Sequence, residues 1–197
     1  GFAVSAAALT VLALFAAFIS EVNIALEATG GSFGRNDVSL IDPLILAGIF
    51  LGAMCPPLFS ALTMLSVTKN AFKMIEYIRG IFKNQPKVLA GEETPDYSEC
   101  VSIAAEGALK ALVLPACIAI VVPILVGFII GPKGLTGFLG GAIFTGVIFA
   151  LFMSNAGGLW DNAKKYVETG KFGGKGSEAH KAAVIGDTAG DPFEDKA

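Results

Sequence analysis

Four stretches of this 197-residue chain contain no charged residue, and each is at least as long as the roughly 20 residues that a helix needs to cross a bilayer core. They are Gly1–Ser20, Pro43–Thr68, Ala111–Pro132 and Gly134–Trp160. A soluble fold of this size would have too little polar chain to cover four such helices. Charged residues make up 16% of the chain, against about 25% in an ordinary soluble domain. The sequence therefore predicts an all-α integral membrane protein, a partial multi-span bundle of four transmembrane helices and the start of a fifth.

The polar residues between these stretches predict the order of the segments. We expect membrane spans at about residues 2–26, 43–69, 104–130 and 134–160. We expect cytoplasmic segments at about residues 70–103 and 161–181, and the start of a further helix at about 178–197. Pro43 suits the first turn of the second helix. The Gly-Pro-Lys-Gly string at 131–134 predicts a tight turn between the third and fourth spans, because Gly and Pro there cannot both continue a helix.

Basic residues predict the orientation of the spans, because short loops rich in Lys and Arg stay in the cytoplasm. Most of them follow the second and fourth spans: Lys69, Lys73, Arg79, Lys83, Lys87, Lys164, Lys165, Lys171, Lys175 and Lys181. The opposite side has only Arg35 and Lys133. We therefore expect Gly1 and the segments 70–98 and 161–181 to face the cytoplasm.

The net charge, the cysteines and the chain ends exclude some classes of protein and indicate a fragment. A net charge of −3 and a pI near 5.2 exclude a broad basic surface for nucleic acid. Cys55, Cys100 and Cys117 form no CxxC pair and indicate neither a disulfide framework nor a zinc site. The chain begins with Gly and ends in an acidic segment, so we expect residues 1–197 to be a single partial transmembrane domain of a longer protein.

Polar residues suited to chemistry concentrate after the fourth span. Asp187, Asp191 and Asp195 are four residues apart and would form one acidic ridge on a helix. Like charges at that spacing repel, and a hard cation such as Mg²⁺ is the simplest compensation. Asp161 and Lys164 share a helix face. Asp161 adds one more carboxylate ligand for the cation, and Lys164 adds an ammonium group for a phosphate oxygen. With one His and three Cys in the chain, this pattern favours Mg²⁺-dependent phosphoryl chemistry over redox or thiol chemistry.

Ordinary surface chemistry also accounts for parts of this pattern. A row of aspartates at a membrane surface is often only a solvated helix face, and Asp161 beside Lys164 is often only a surface pair. Gly157 and Gly158, which permit close backbone approach, favour the functional interpretation. Small residues at four-residue spacing elsewhere, Gly48 with Gly52 and Gly137 with Gly141, predict close helix packing.

The strings around these residues resemble one family of membrane proteins. Residues 154–166 read SNAGGLWDNAKKY, residues 174–188 read GKGSEAHKAAVIGDT and residues 190–193 read GDPF. Together they resemble the membrane-bound, ion-pumping pyrophosphatases, and residues 53–67 and the opening Gly-Phe-Ala also look like helices of that family. The resemblance implies a sixteen-helix homodimeric pump that hydrolyses inorganic pyrophosphate with Mg²⁺ and moves H⁺ or Na⁺ out of the cytoplasm. This chain is similar to the part from the twelfth helix into the start of the sixteenth.

The resemblance also implies roles for individual residues. Asp161, Asp187 and Asp191 match the family's Mg²⁺-binding aspartates, and Lys164 matches its pyrophosphate-binding lysine. Asp195 matches the catalytic carboxylate that helps to hold the attacking water. Such a carboxylate would accept the water proton while cations offset charge on the leaving phosphate.

One position departs from the family pattern. Glu194 occupies a substrate-binding position at which the family usually has Lys. An anion there would weaken phosphate binding, so either the register has changed, or Lys196 substitutes, or this copy is impaired. His180, the only histidine, is open to two interpretations, a helix-start or surface residue and a proton-handling residue.

The resemblance extends to partners and location. It implies K⁺ as a further candidate cofactor, the lipid bilayer as surroundings, and a multi-pass protein of the cell inner membrane, or of an acidic compartment in a eukaryote, with a cytoplasmic active site. It places other aspartates and lysines of the site on earlier helices, so we expect the 197-residue chain alone to be inactive.

Two other functions compete with the pump. A passive channel or secondary carrier would use the acidic ridge only to attract cations. A phosphatidyl-alcohol phosphotransferase also has aspartates spaced by four on membrane helices, but it needs an upstream Asp-x-x-Asp-Gly-x-x-Ala-Arg string, and none precedes Asp187.

Overall fold

The computed structural model describes residues 2–34 and 37–195. Gly1, Arg35 and Lys196 lie outside the described residues, and so do the predictions made for them. Within the two described ranges the regular structure is helical and contains no strand.

The described residues form six α-helices and one short 3₁₀-helix. The α-helices are α1 Phe2–Glu27, α2 Pro43–Asn84, α3 Pro86–Leu89, α4 Ser98–Ile129, α5 Gly131–Glu168 and α6 Glu178–Glu194; the 3₁₀-helix is Lys171–Gly173. Four of them, α1, α2, α4 and α5, are long and apolar enough to cross a membrane. The predicted all-α, four-span membrane fold is therefore confirmed. The points at which each helix enters and leaves the bilayer stay predictions.

The chain forms two compact units. One comprises the residues up to Ser60 together with those from Ala119 onward, and the other is Ala61–Ile118. The first unit holds α1, the start of α2, the end of α4, and all of α5 and α6. In the second unit, the side-chain amide of Asn70 on α2 donates to the carbonyl oxygen of Ala104 on α4.

The predicted four-residue turn at 131–134 is wrong in extent. Helix α4 ends at Ile129 and α5 already begins at Gly131, so only Ile130 separates them. Gly131 takes a φ of +85°, which allows the chain to reverse at one residue. Pro132 then lies in the first turn of α5, where the missing N–H has no helical partner to lose. The predicted connector after α2 likewise contains a short helix, α3.

Helices α2 and α5 pack backbone to backbone in the first unit. A Cβ atom added to Gly137 or Gly141 on α5 would overlap the carbonyl oxygen of Ile45 or Ile49 on α2. A Cβ added to Gly52 on α2 would overlap the carbonyl oxygen of Phe138. The predicted close approach at these small residues is confirmed, and it leaves no room for any side chain at the contact.

An ion pair joins the beginnings of these two helices. The Nζ atom of Lys133 lies 2.7 Å from Oδ2 of Asp42, whose side chain is 19% exposed. The other carboxylate oxygen of Asp42 accepts the backbone N–H of Leu44 at 2.9 Å. The hydrogen bond from Lys133, followed by that from Leu44, lowers the pKa of Asp42 below its ordinary value.

Two glycines three residues apart on α5 test the close packing. We expect Gly137→Ala to destabilise the protein by about 1–3 kcal/mol, because the new methyl group meets backbone atoms that cannot move aside. Gly140→Ala is the matched control, since a Cβ there meets nothing within 4 Å. Thermal unfolding of both variants in detergent measures the difference. Equal loss of stability in both would contradict this packing.

The Lys133–Asp42 pair predicts a pH-dependent contribution to stability. A carboxyl group with a lowered folded-state pKa stabilises the fold above its unfolded pKa of about 3.9 and loses this contribution as the pH falls through the folded-state value. We therefore expect Lys133→Met to be less stable than the wild type at neutral pH, with the difference vanishing in strong acid. Thermal unfolding over that pH range checks this, with Lys181→Gln, from an exposed pair, as the control. A difference that is independent of pH would contradict the assignment.

Candidate active site at the hairpin of α5 and α6

Helices α5 and α6 form an antiparallel hairpin. Glu168 contacts His180, Lys164 contacts Asp187, and Gly157 lies against Glu194, so partners recede along α5 as the chain advances along α6. Helix α6 begins at Glu178, and the Ser177 hydroxyl caps it by accepting the N–H of His180 at 3.1 Å. The loop between the helices is rich in glycine: Gly170, Gly173, Gly174 and Gly176 all have positive φ.

Small residues set the distance between the two helices. Gly157 and Gly190 are both buried, and a Cβ on Gly190 would lie 3.3 Å from the Cα of Gly157. A Cβ on Gly186 would overlap the indole ring of Trp160. Because the backbones touch, short side chains on one helix reach groups on the other.

Lys164 is the centre of a cluster of charges beside this contact. Its ammonium group donates a hydrogen bond to Oδ2 of Asp187 on α6 and lies 3.4 Å from Oδ1 of Asp161 on α5. The other carboxylate oxygen of Asp161 lies 2.5 Å from Nζ of Lys165. The side chains of Lys164 and Asp161 are 24% exposed and that of Asp187 is 11% exposed. Lys164 and the two carboxylates therefore interact where water screens them less than at an open surface, whereas Lys165 is 65% exposed.

Three of the predicted site residues are brought together here, namely Asp161, Lys164 and Asp187. Asp191 and Asp195 lie further along α6 and are exposed. The predicted ridge thus has one buried and two exposed aspartates, and Asp195 is the C-cap residue of α6. In the ranges 2–34 and 37–195, no three His, Cys, Asp or Glu side chains form a group that could hold a metal ion.

Glu194 lies against α5 at Gly157 and Gly158. A Cβ on Gly157 would come within 2.6 Å of the Cβ of Glu194, and one on Gly158 would come 3.6 Å from a carboxylate oxygen of Glu194. Gly157, one of the two glycines singled out from the sequence, therefore makes room for α6 at Glu194, whereas a side chain at Gly158 would make only an ordinary contact. The role of Glu194 in substrate binding stays a prediction.

Sequence reasoning missed the partners of His180. Its Nε2 atom lies 3.0 Å from Oε1 of Glu168, and its Nδ1 atom accepts the N–H of Gly176 at 3.2 Å. The histidine is therefore neither a free surface residue nor only a residue at a helix start. Ser177, a preferred N-cap residue three positions before it, indicates that His180 lies in the first turn of a helix, but no sequence signal indicates Glu168 as its partner.

Comparison with known proteins identifies the family of this chain. The family model described as inorganic H⁺ pyrophosphatase matches residues 1–197. The chain belongs to this family. A protein of Methanosarcina mazei named a K⁺-insensitive pyrophosphate-energized proton pump is 45% identical over 100% of this chain and 28% of its own length. A protein of Bacteroides thetaiotaomicron that carries the name of a K⁺-stimulated pyrophosphate-energized sodium pump is 46% identical over 99% of this chain and 29% of its own length.

A plant relative extends the comparison. Pyrophosphate-energized membrane proton pump 3 of Arabidopsis thaliana is 42% identical over 100% of this chain and 25% of its own length. The chain thus spans less than a third of the length of each of these three relatives.

Two adjacent glycines on α5, Gly157 and Gly158, test how the hairpin is packed. In Gly157→Ala the new Cβ would lie 2.6 Å from the backbone nitrogen of Glu194 and 2.7 Å from the carbonyl oxygen of Gly190, so α6 must move. We expect a loss of about 1–3 kcal/mol. In Gly158→Ala the nearest atom lies 3.6 Å away, an ordinary contact, and stability should hardly change. Thermal unfolding of the two variants decides, and a larger loss for Gly158→Ala would contradict the register of α5 and α6.

Proposed function

We propose that the protein hydrolyses inorganic pyrophosphate to two phosphates and uses the reaction to pump H⁺ or Na⁺ across a membrane. The hairpin of α5 and α6 would supply part of the active site on the cytoplasmic side. The observation that carries this proposal is the position of Lys164 between carboxylates of two helices at one end of an apolar helix. Membership of the family and the names of the relatives support it.

The residue types fit Mg²⁺, although three carboxylates do not already converge on one point within the described residues. Carboxylate oxygens are the ligands that this ion prefers, and it usually keeps open positions for water and phosphate. Asp161 and Asp187 already converge on one ammonium group, and Asp191 follows Asp187 by one helical turn. We assign these three aspartates to Mg²⁺ binding. When bound, the ion would offset the negative charge of the phosphoryl groups.

Lys164 would bind the pyrophosphate. Its ammonium group has three donors, so it can contact a phosphate oxygen while it keeps a carboxylate partner. Its two aspartate partners hold its position before substrate arrives. Preorganised charge of this kind stabilises the charge that develops on a leaving phosphate without reorganisation during the reaction.

Asp195 and Glu194 would act at the end of α6. Asp195, exposed at the C-cap, would accept a proton from the attacking water. Glu194 takes the position of the family's lysine and supplies no cation there, so Lys164 would be the phosphate-binding cation of the hairpin.

The pumped ion and the assembly belong to the same proposal. Relatives named as K⁺-stimulated sodium pumps and as K⁺-insensitive proton pumps match this chain almost equally well. We propose H⁺ or Na⁺ as cargo, K⁺ as a candidate activating ion, and a homodimer in the cell inner membrane or in an acidic compartment of a eukaryote. Assays with and without K⁺ and Na⁺ distinguish these subclasses.

Substitution in the intact protein tests the proposed function. We expect Asp191→Ala to abolish Mg²⁺-dependent phosphate release from pyrophosphate, and Lys164→Met or Asp187→Asn to reduce it by about 100-fold or more. Lys181→Gln, which breaks only an exposed pair, should retain activity. Phosphate release and ion uptake are measured in membrane vesicles, and thermal unfolding excludes misfolded variants.

Two results would contradict the proposal. Normal turnover of a folded Asp191→Ala variant would remove the proposed site. Ion uptake that is independent of pyrophosphate would identify a channel or secondary carrier instead.

A further inference from the structure

His180 links the end of α5 to the start of α6 by hydrogen bonds at both ring nitrogens. Nε2 lies 3.0 Å from a carboxylate oxygen of Glu168, the last residue of α5. Nδ1 receives the backbone N–H of Gly176, two residues before α6 begins. The His180 side chain is 13% exposed, and that of its partner Glu168 is 34% exposed.

The two contacts select one protonation state of the ring. The N–H of Gly176 can only donate, so Nδ1 must present a lone pair. In a neutral imidazole the hydrogen is then on Nε2, where it is donated to Glu168. An imidazolium ring carries a hydrogen on both nitrogens. The Nδ1–H group of His180 would then face the N–H group of Gly176, and neither could accept a hydrogen bond. Both hydrogen bonds form together only with a neutral ring protonated at Nε2.

The loop that His180 closes is itself held by hydrogen bonds. The Ser177 hydroxyl donates to the carbonyl oxygen of Gly174 at 2.7 Å and accepts the N–H of His180 at 3.1 Å. Phe172 has a φ of +52°, which is unusual for a residue other than glycine, and its ring packs edge-on against Tyr166. The loop therefore has a defined conformation between the two helices.

This link lies on the same two helices as the charge cluster. Glu168 follows Lys164 by four residues on α5, and His180 precedes Asp187 by seven residues on α6, which are about one and two helical turns. Sliding α6 by a single residue would displace Asp187 by about 1.5 Å, which is enough to break its hydrogen bond with Lys164. The contact that holds Glu168 opposite His180 therefore also keeps Asp187 within hydrogen-bonding distance of Lys164.

Other charged side chains lie near the pair formed by Glu168 and His180. The hydrogen bond from His180 lowers the pKa of Glu168, and Lys175 and Lys164 lower it further through space. Glu178 and Lys181 form a separate exposed pair at 2.7 Å in the first turn of α6. The carboxylate thus has cationic neighbours even when His180 is neutral.

We propose that His180, as the neutral ring protonated at Nε2, is a positioning residue for pyrophosphate hydrolysis. Its hydrogen bonds to Gly176 and Glu168 hold α6 in the register that keeps Asp187 on Lys164. The inference rests on the proposed function for its catalytic consequence, whereas the hydrogen-bonded link can be tested without activity.

Four substitutions in the intact protein separate the two hydrogen bonds. His180→Asn keeps an acceptor near the Nδ1 position, His180→Gln keeps a donor near the Nε2 position, and His180→Ala keeps neither. Glu168→Gln removes the charge of the partner but keeps an acceptor oxygen. Glu178→Gln, from the exposed pair in the first turn of α6, is the matched control.

Steady-state kinetics with Mg²⁺ and pyrophosphate give the first measurement. We expect His180→Ala to raise KM for Mg-pyrophosphate about tenfold with little change in kcat, and His180→Asn and His180→Gln to raise it about threefold each, the usual range for a lost hydrogen bond. Glu168→Gln and Glu178→Gln should stay within about twofold of the wild type. A histidine that serves only folding would instead lower the amount of active protein and leave KM unchanged.

Limited trypsin digestion of the detergent-solubilised protein gives a second measurement that needs no activity. Lys171 and Lys175 are exposed in the loop, and cleavage there yields fragments beginning at Phe172 and Gly176. We expect cleavage to be fastest in His180→Ala, intermediate in His180→Asn and His180→Gln, and equal to the wild type in Glu168→Gln and Glu178→Gln.

The two measurements distinguish the ways in which the inference can fail. If Glu168→Gln changed KM and cleavage as much as His180→Ala does, Glu168 and His180 would form an ionic pair. That result would overturn the proposal that the His180 ring is neutral. His180 variants that match Glu178→Gln in both KM and cleavage would overturn the positioning role. A wild type that does not hydrolyse pyrophosphate would contradict the proposed function, while the order of trypsin cleavage would still decide whether the link exists.

Discussion

Lys164 binds two carboxylates that come from different parts of the chain, Asp161 one turn earlier on α5 and Asp187 on α6. Such an arrangement depends on how closely the helices approach, because an aspartate side chain is short. The approach is possible since Gly157 and Gly190 place backbone against backbone at the same contact. Glycine packing of the apolar helix thus determines the geometry of the charged cluster at its end.

The same combination of glycine packing and an ion pair occurs at the other end of α5. There Gly137 and Gly141 admit the backbone of α2, and Lys133 pairs with Asp42 where the two helices begin. In both places close packing of small residues comes with an ion pair between the packed partners. Within a bilayer the hydrophobic effect does not drive helices together, so contact between backbones and polar links must supply the specificity.

Much of this fold follows from local sequence. Charge-free runs long enough to cross a bilayer predict the four long helices, and the three-residue spacing of Asp161 and Lys164 predicts their shared face. The partner of Asp187 does not follow from spacing, because it depends on the register between two helices joined by a nine-residue loop at 169–177. The turn before α5 was predicted too long because Pro132, usually a helix breaker, is compatible with the first turn of a helix. Glu168 carried no sequence signal, since its role exists only once His180 is folded against it.

The proposed function requires that Asp161, Asp187 and Asp191 converge with Lys164 on one magnesium-bound diphosphate. A structure of the intact protein with Mg²⁺ and imidodiphosphate, a non-hydrolysable analogue of pyrophosphate, tests it most directly. We predict the analogue at the cytoplasmic end of α5 and α6, with an oxygen in contact with Nζ of Lys164 and with the three carboxylates on its metal ions. An analogue bound elsewhere, or carboxylates that face different sides of the hairpin, would contradict the account.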